Sequence, residues 1–381
     1  MKILFLLLLI VSCKRENNKL FTFKNVIYLP LPEKVIAPKN NPITPEKIAL
    51  GKLLFYDPIL SGNRDVACAT CHHPDNGYAE FKDISIGVNG IGLGFHRKFR
   101  EKNTIPFVKR NAHTILNTAF NGIDEKGNYS PDAAPMFWDN RSESLEAQSL
   151  EPIKSLEEMR GETMAHKVAL DSVITRLQKN AEYVKLFKKA FGNTSKISKE
   201  NLGKAIATFE RTLITPNSRF DQYLRGDSTA ISISEKEGFE SFKRVGCANC
   251  HSGPMFSDYK LHTLGMEENK KLKVADSGAT GRFKFRTPTL RNLRFTAPYM
   301  HNGNFTELKR VMEFYEEIAG GKTLNPNLTK ADIDSLALNL TIRAKDFNPI
   351  ISFINTLNDP NFDKEIPKSV PSGLPVGGNI N

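Results

Sequence analysis

Hydrophobic residues along this chain fall into two patterns: one short unbroken run, and a series of stripes at helical spacing. The unbroken run is residues 3–11 (ILFLLLLIV), preceded by Lys2. It is shorter than the ~20 residues a membrane-spanning helix needs, and it fits a signal-peptide core. It ends in Ile10-Val11-Ser12-Cys13, a lipobox-like sequence. Residues 1–13 are therefore read as a lipoprotein signal peptide, with Cys13 as the lipidated first residue after cleavage. The mature chain is then expected in the periplasm, tethered to a membrane only through that lipid.

Residues 14–43 are polar, then Pro-rich (Pro30, Pro32, Pro38, Pro42), and read as a tether. Thr44-Pro45-Glu46-Lys47 offers an N-cap followed by a proline at the first helical position, and Ile48, Leu50, Leu53 and Leu54 form a buried stripe. Residues 74–135 are rich in Gly, Pro and Asn with little periodicity, and are expected as long loops. Helical periodicity returns at 142–159, broken at Pro152, and at 163–177, 181–191 and 200–213. Pro216-Asn217-Ser218 and Gly226-Asp227 mark a linker. Ser234-Glu235-Lys236-Glu237 reads as a capping-box start, and further helices are predicted near 307–318, 329–339 and 347–357. Residues 358–381 read as a surface tail. No set of strands stands out, so the expected fold is mainly α with long loops.

The 381 residues suffice for two domains, and the 40% hydrophobic and 25% charged content is that of an ordinary globular chain. The net charge of +11 is spread without long single-sign blocks or a nucleic-acid-binding motif. It reads as a solvated surface with a slight preference for acidic partners.

The five cysteines change the picture most. Apart from Cys13, they form Cys68-Ala69-Thr70-Cys71-His72 and Cys247-Ala248-Asn249-Cys250-His251. Both are C-x-x-C-H, and two such matches arise by chance in about one chain in a million of this composition. Two thiols on one helical turn can add to the two vinyl groups of a haem, and the adjacent His then lies under the iron. A zinc ribbon would bring its C-x-x-C pairs closer together. A thioredoxin-like pair needs a βαβ setting and no following His. The chain is therefore read as carrying two covalently bound c-type haems. Each motif follows a capped helix of about ten residues. This gives two cytochrome c-like haem domains, 44–226 and 227–357, with residues 358–381 as a tail.

Further segments accompany the haem motifs: Arg110-Asn111-Ala112, Phe137-Trp138-Asp139-Asn140-Arg141, TLITPNSRFD from Thr212 to Asp221, FRTPTLRN from Phe285 to Asn292, and Thr296-Ala297-Pro298-Tyr299-Met300-His301. With these in this order, the chain resembles the bacterial di-haem cytochrome c peroxidases and their relative MauG over nearly its whole mature length. The resemblance implies reduction of hydrogen peroxide to water at the N-terminal haem. Electrons would come from a small cytochrome c or cupredoxin through the C-terminal haem.

By the same resemblance His72 and His251 are the fixed iron ligands, Glu158 is the acid/base with Gln148 beside it, and Trp138 relays electrons between the haems. Taken alone, Glu158 would pass for a surface Glu beside Glu157, and Trp138, the only Trp, for a core anchor. The sixth ligand of the second haem falls, by the family's spacing from Thr296, on Tyr315. Met312, one helical turn away, and Met300 or His301 stay open as alternatives. A phenolate favours ferric iron, whereas a thioether raises the potential. His73, His96 and His113 are candidates for a loop ligand of the first haem. The resemblance further implies a calcium ion on the Asn111 side chain and the Thr296 and Pro298 carbonyls, and it allows a homodimer. Arg286 and Arg291 are candidate partners of haem propionates. His113 and Asn140 depart from the Pro and Gly usual at their places. Two other activities fit the same motifs: a MauG-like oxidase acting on a partner protein, and a non-enzymatic two-haem electron carrier.

Overall fold

The computed structural model describes residues 28–380. The expectations on the signal sequence and on Cys13 lie outside the described residues. Twelve α-helical segments are found: α1 (Pro45–Tyr56), α2 (Cys68–Cys71), α3 (Leu145–Gln148), α4 (Glu151–Lys154), α5 (Ala169–Gln178), α6 (Ala181–Phe191), α7 (Lys199–Glu210), α8 (Arg219–Leu224), α9 (Ile233–Arg244), α10 (Leu308–Ala319), α11 (Ser335–Leu338) and α12 (Ala344–Asn355). The strands make two short antiparallel hairpins, β1 (Gly90–Ile91) with β2 (Lys98–Phe99) and β3 (Leu261–Thr263) with β4 (Lys284–Arg286). The chain is mostly helical, and among the described residues no helix is long and apolar enough to cross a membrane.

The two halves repeat one packing device. Helix α1 starts where expected, with the Thr44 hydroxyl accepting from Lys47 N at 3.3 Å and Pro45 at the first position. It crosses α7 at Gly51, where a Cβ would collide with the Ala205 carbonyl. Around that crossing Leu50, Leu54, Val173, Leu177, Phe187 and Ile206 close a core. In the second half α9 crosses α12 at Gly238, where a Cβ would collide with the Pro349 carbonyl. Phe220, Phe242, Ile350 and Phe353 fill the corresponding core. Each of these side chains is worth ~1.5–3 kcal/mol when withdrawn from water. The N-cap of α9 is Ser232 rather than Ser234. Ser232 and Glu235 form the reciprocal box, and Arg219 clamps the Glu235 carboxylate.

The expected helix over 142–159 divides into α3, α4 and a π-helical turn, Leu156–Arg160. Residues 28–43, read above as part of a tether, lie against the body where they are described. Leu31 is fully buried, its N–H donates to Asp221 at 2.9 Å, and Arg225 donates to its carbonyl. The tail wraps back over the first half. Ser372 donates to Asp57 at 2.6 Å, and Thr70, inside the first C-x-x-C-H, donates to Gly377 O at 2.7 Å.

Arg291 and Asp221 form a bidentate pair at 2.8 Å, both side chains almost wholly buried, and the Arg291 Nε donates to Pro254 O. Arg291 is therefore engaged by Asp221 within the protein, whereas the sequence reading offered it to a haem propionate. Arg291→Met strands a buried carboxylate and is expected to cost about 3–5 kcal/mol, read as a lower midpoint in urea unfolding of the holoprotein.

Candidate functional site

The first motif forms one helical turn, α2, and His72 follows with its N–H on Cys68 O at 2.9 Å. The His72 Nδ1 lies 3.0 Å from Tyr78 O. A carbonyl can only accept, so Nδ1 carries the hydrogen and Nε2 keeps its lone pair. The second motif opens at Gly246, in a left-handed conformation (φ 99°), and His251 Nδ1 lies 2.9 Å from Phe256 O. Burial lowers the pKa of both imidazoles, which stay neutral. This is the support metal-binding histidines use: one ring nitrogen fixed by a carbonyl, the other offered to the metal.

Cys68, Cys71, Cys247 and Cys250 are all unpaired thiols. Burial pushes the Cys68 and Cys247 thiols up to about 12. Two thiol pairs, each beside an imidazole with a free Nε2, fit two haems. The second motif also opens on a mostly apolar cavity lined by Cys247, Cys250, His251, Arg286 and Tyr315. The Arg286 Nη1 donates to Pro135 O while its buried Nε has no partner, so Arg286 retains a donor for a carboxylate.

Tyr315 and Met312 project from α10, and both line this cavity, as do Met300 and His301. Burial, and behind it the nearness of Cys250 and Cys247, raises the pKa of the Tyr315 phenol. Its hydroxyl thus stands beside the second motif. The His301 Nε2 is buried without a partner.

At the first motif the carboxyl of Glu158 sits on the π-helical turn. That turn is gripped by two glycines: a Cβ at Gly87 would collide with the carbonyls of Glu157 and Glu158, and one at Gly62 with Arg160 O. Glu158 is part-buried. Even so, burial, opposed by the Arg141 charge and aided by Glu157, pushes its carboxyl up to about 6. Its charge is felt at both Cys68 and Cys71. Gln148 ends α3, and α4 with Pro152 separates it from Glu158.

Trp138 is buried, its Nε1–H donating to Asn111 O at 3.0 Å, and it lines the cavity of the second motif. Asn111, Thr296 and Pro298 all line that cavity. The Asn111 Nδ2 is committed to Lys82 O and Asp83 O, so its Oδ1 is the atom left for a cation. Asn140, where Gly is usual, has φ 55°. Asn is the side chain that best tolerates that left-handed conformation.

Of the loop histidines, His96 is exposed and stacks on Phe95 at 3.8 Å. His73 is buried and accepts from Asp75 N, and His113 packs against Trp138 at 5.4 Å.

Two carboxyls at the first motif escaped the sequence reading. Glu210 is buried near Cys68, and burial pushes it up to about 8. Its signal was a charge on the inner stripe of α7, four residues after Ile206. Glu80 is fully buried near Cys71 and pushed up to about 7, mainly by burial. It sits in an aperiodic loop and carries no local signal.

Among the described residues, two hairpins and twelve helices surround the two C-x-x-C-H turns. Residues 45–229 match the family described as di-haem cytochrome c peroxidase. The chain is 36% identical over 296 residues to methylamine utilization protein MauG of Methylorubrum extorquens, covering 76% of this chain and 74% of that protein. It is 32% identical over 333 residues to cytochrome c551 peroxidase of Pseudomonas aeruginosa, covering 84% and 86%. Among solved structures, a MauG-like protein associated with microbial copper homeostasis superposes with a TM-score of 0.68 at 25% identity, over 89% of this chain and 95% of that one. The diheme peroxidase of Burkholderia thailandensis shares the fold, with a TM-score of 0.65 at 19% identity over 91% and 98%. The chain belongs to the di-haem cytochrome c peroxidase family, which includes MauG; it is an oxidoreductase with two haem cofactors.

Proposed function

We propose that this protein reduces hydrogen peroxide to water at the site beside Cys68, Cys71 and His72, with electrons from a small periplasmic cytochrome c or cupredoxin entering at the second haem site. The observation that carries the reading is Glu158: a carboxyl half-ionised near pH 6, on a turn gripped by Gly62 and Gly87 and close enough to Cys68 and Cys71 to act on both. When bound through the four thiols, the haems supply the electrons and an iron with a place for peroxide. Glu158 takes the proton from the incoming peroxide oxygen and returns it to the departing one, which leaves as water; the other oxygen leaves as a second water once two electrons from the donor and two protons from solvent have been taken up. Gln148 orients the departing oxygen. His72 and His251 would hold the irons through Nε2, with Nδ1 of each fixed by the Tyr78 and Phe256 carbonyls. Trp138 passes electrons from the second site to the first, and its Nε1–H stays on Asn111 O throughout.

The same reading assigns residues 44–226 and 227–357 as the two haem domains. It places calcium on Asn111, Thr296 and Pro298, oxygen donors that suit that ion. It puts the mature protein in the periplasm, anchored through Cys13. The test is the ferric spectrum of purified holoprotein, followed by peroxide with a reduced donor. One high-spin haem and steady turnover are expected. Two six-coordinate haems that ignore peroxide even after partial reduction would leave only an electron carrier.

A second reading, oxidation of a partner protein, is favoured by Tyr315, which replaces the Met of the usual peroxidases. Negligible steady-state turnover with any reduced donor would select it over the first. Tyr315→Met is expected to raise the second haem's potential and give it a thioether-ligand spectrum, checked by redox titration. An unchanged spectrum would move the ligand to Met312, Met300 or His301.

A further inference from the structure

We propose that His113 is a positioning residue for electron transfer between the two haem sites, holding the Trp138 ring in place through an aromatic edge contact. This rests on the reading of Trp138 as the relay.

The segment 111–115 forms a bracket between His72 and Trp138. At one end the Asn111 carbonyl accepts from Trp138 Nε1 at 3.0 Å. At the other end the Tyr78 carbonyl, which lies 3.0 Å from His72 Nδ1, also accepts from Ile115 N at 3.2 Å. A buttress from Thr114 Oγ1 to Gly77 O at 2.6 Å ties the bracket to the loop of the first motif. His113 is at the centre. Its ring meets Trp138 edge-on, with centroids 5.4 Å apart and planes at 80°. It lines the cavity of the second motif.

The edge-on geometry is a favourable one for two aromatic rings and fixes the indole about the axis its single hydrogen bond leaves free. Trp138 also meets His301 edge-on at 6.4 Å, and His301 stacks on Phe285 at 3.6 Å. Two rings, His113 and His301, thus meet the indole edge-on. His113 Nδ1 lies 3.2 Å from Thr114 O, so the hydrogen on Nδ1 points at that carbonyl and sets the rotation of the ring. The step itself moves one electron: Trp138 gives it to the first site and regains it from the second, with no bond made or broken. The Pro usual at this place offers no aromatic edge.

The test uses holoprotein carrying both haems, half-reduced, and follows electron equilibration between them after photolysis of a carbonyl complex. His113→Leu is expected to slow equilibration by at least ~10-fold, with both haem potentials unmoved and kcat falling at constant KM for the donor. His113→Phe, which keeps an aromatic edge, is expected to recover most of the rate. His113→Pro serves where the Leu variant fails to load haem, with the same slowing expected. Wild-type equilibration in His113→Leu, or in the Pro variant, while Trp138→Phe is slow, overturns the role of His113 alone. Wild-type equilibration in Trp138→Phe overturns the relay reading and this inference with it.

Discussion

Glu158→Gln is expected to lower peroxide turnover by ~10²–10⁴-fold, the range spanned by a single positioned acid/base. Gln keeps the shape of the side chain on its gripped turn but can neither take nor return the proton. The same carboxyl fixes the pH profile of the wild type. Its pKa is pushed up to about 6, first by burial. It must be ionised to accept the peroxide proton, so kcat/KM for peroxide should rise as pH increases through about 6 and level off above it. In Glu158→Gln that rise disappears. Stopped-flow rates of peroxide with the activated holoprotein between pH 4.5 and 8, roughly two units either side, check both statements. A Gln variant with wild-type turnover would remove Glu158 from the chemistry.

Losing the first haem should do more still. Cys68→Ala with Cys71→Ala removes the two thiols through which the first haem would be attached, and the variant is expected to carry one haem per chain and to show no turnover above background. Iron content and the pyridine haemochrome spectrum measure the first, and donor oxidation the second. The matching change at Cys247 and Cys250 also leaves one haem, but it leaves Glu158 and His72 in place. There, peroxide should still perturb the spectrum while steady donor oxidation stops. The pair of variants separates the oxidant site from the electron entry site.

Much of this site was legible because its residues are local in sequence. Cys68, Cys71 and His72 need only one helical turn, and the stripes that became α5, α6 and α7 each carry their own periodicity. Glu158 could be placed only by resemblance. Its π-helical turn depends on Gly62 and Gly87, which lie about 70 to 100 residues upstream and have no local pattern linking them to it. Arg291 misled for a related reason. A lone Arg in a family segment looks available, and only the fold brings Asp221 to it. At α9 the segment S-I-S-E-K-E offers two S-x-x-E spacings, and the choice of Ser232 depends on Arg219 reaching Glu235 from α8. His113 sits in a stretch with no periodicity, and its partner Trp138 is 25 residues away with no pattern joining them.

The Thr70 hydroxyl finds its acceptor at Gly377, 307 residues downstream, and the Arg97 guanidinium likewise reaches Asn379. The domain translated first is therefore among the last to be completed. Until residues near 377 have been made and delivered, the turn bearing the first pair of thiols lacks its outer wall. A haem arriving beside those sulfurs before then would meet a site without that wall, and one arriving later a site that has it. Maturation of the first haem should then compete with arrival of the tail, whereas the second motif lies outside this clasp.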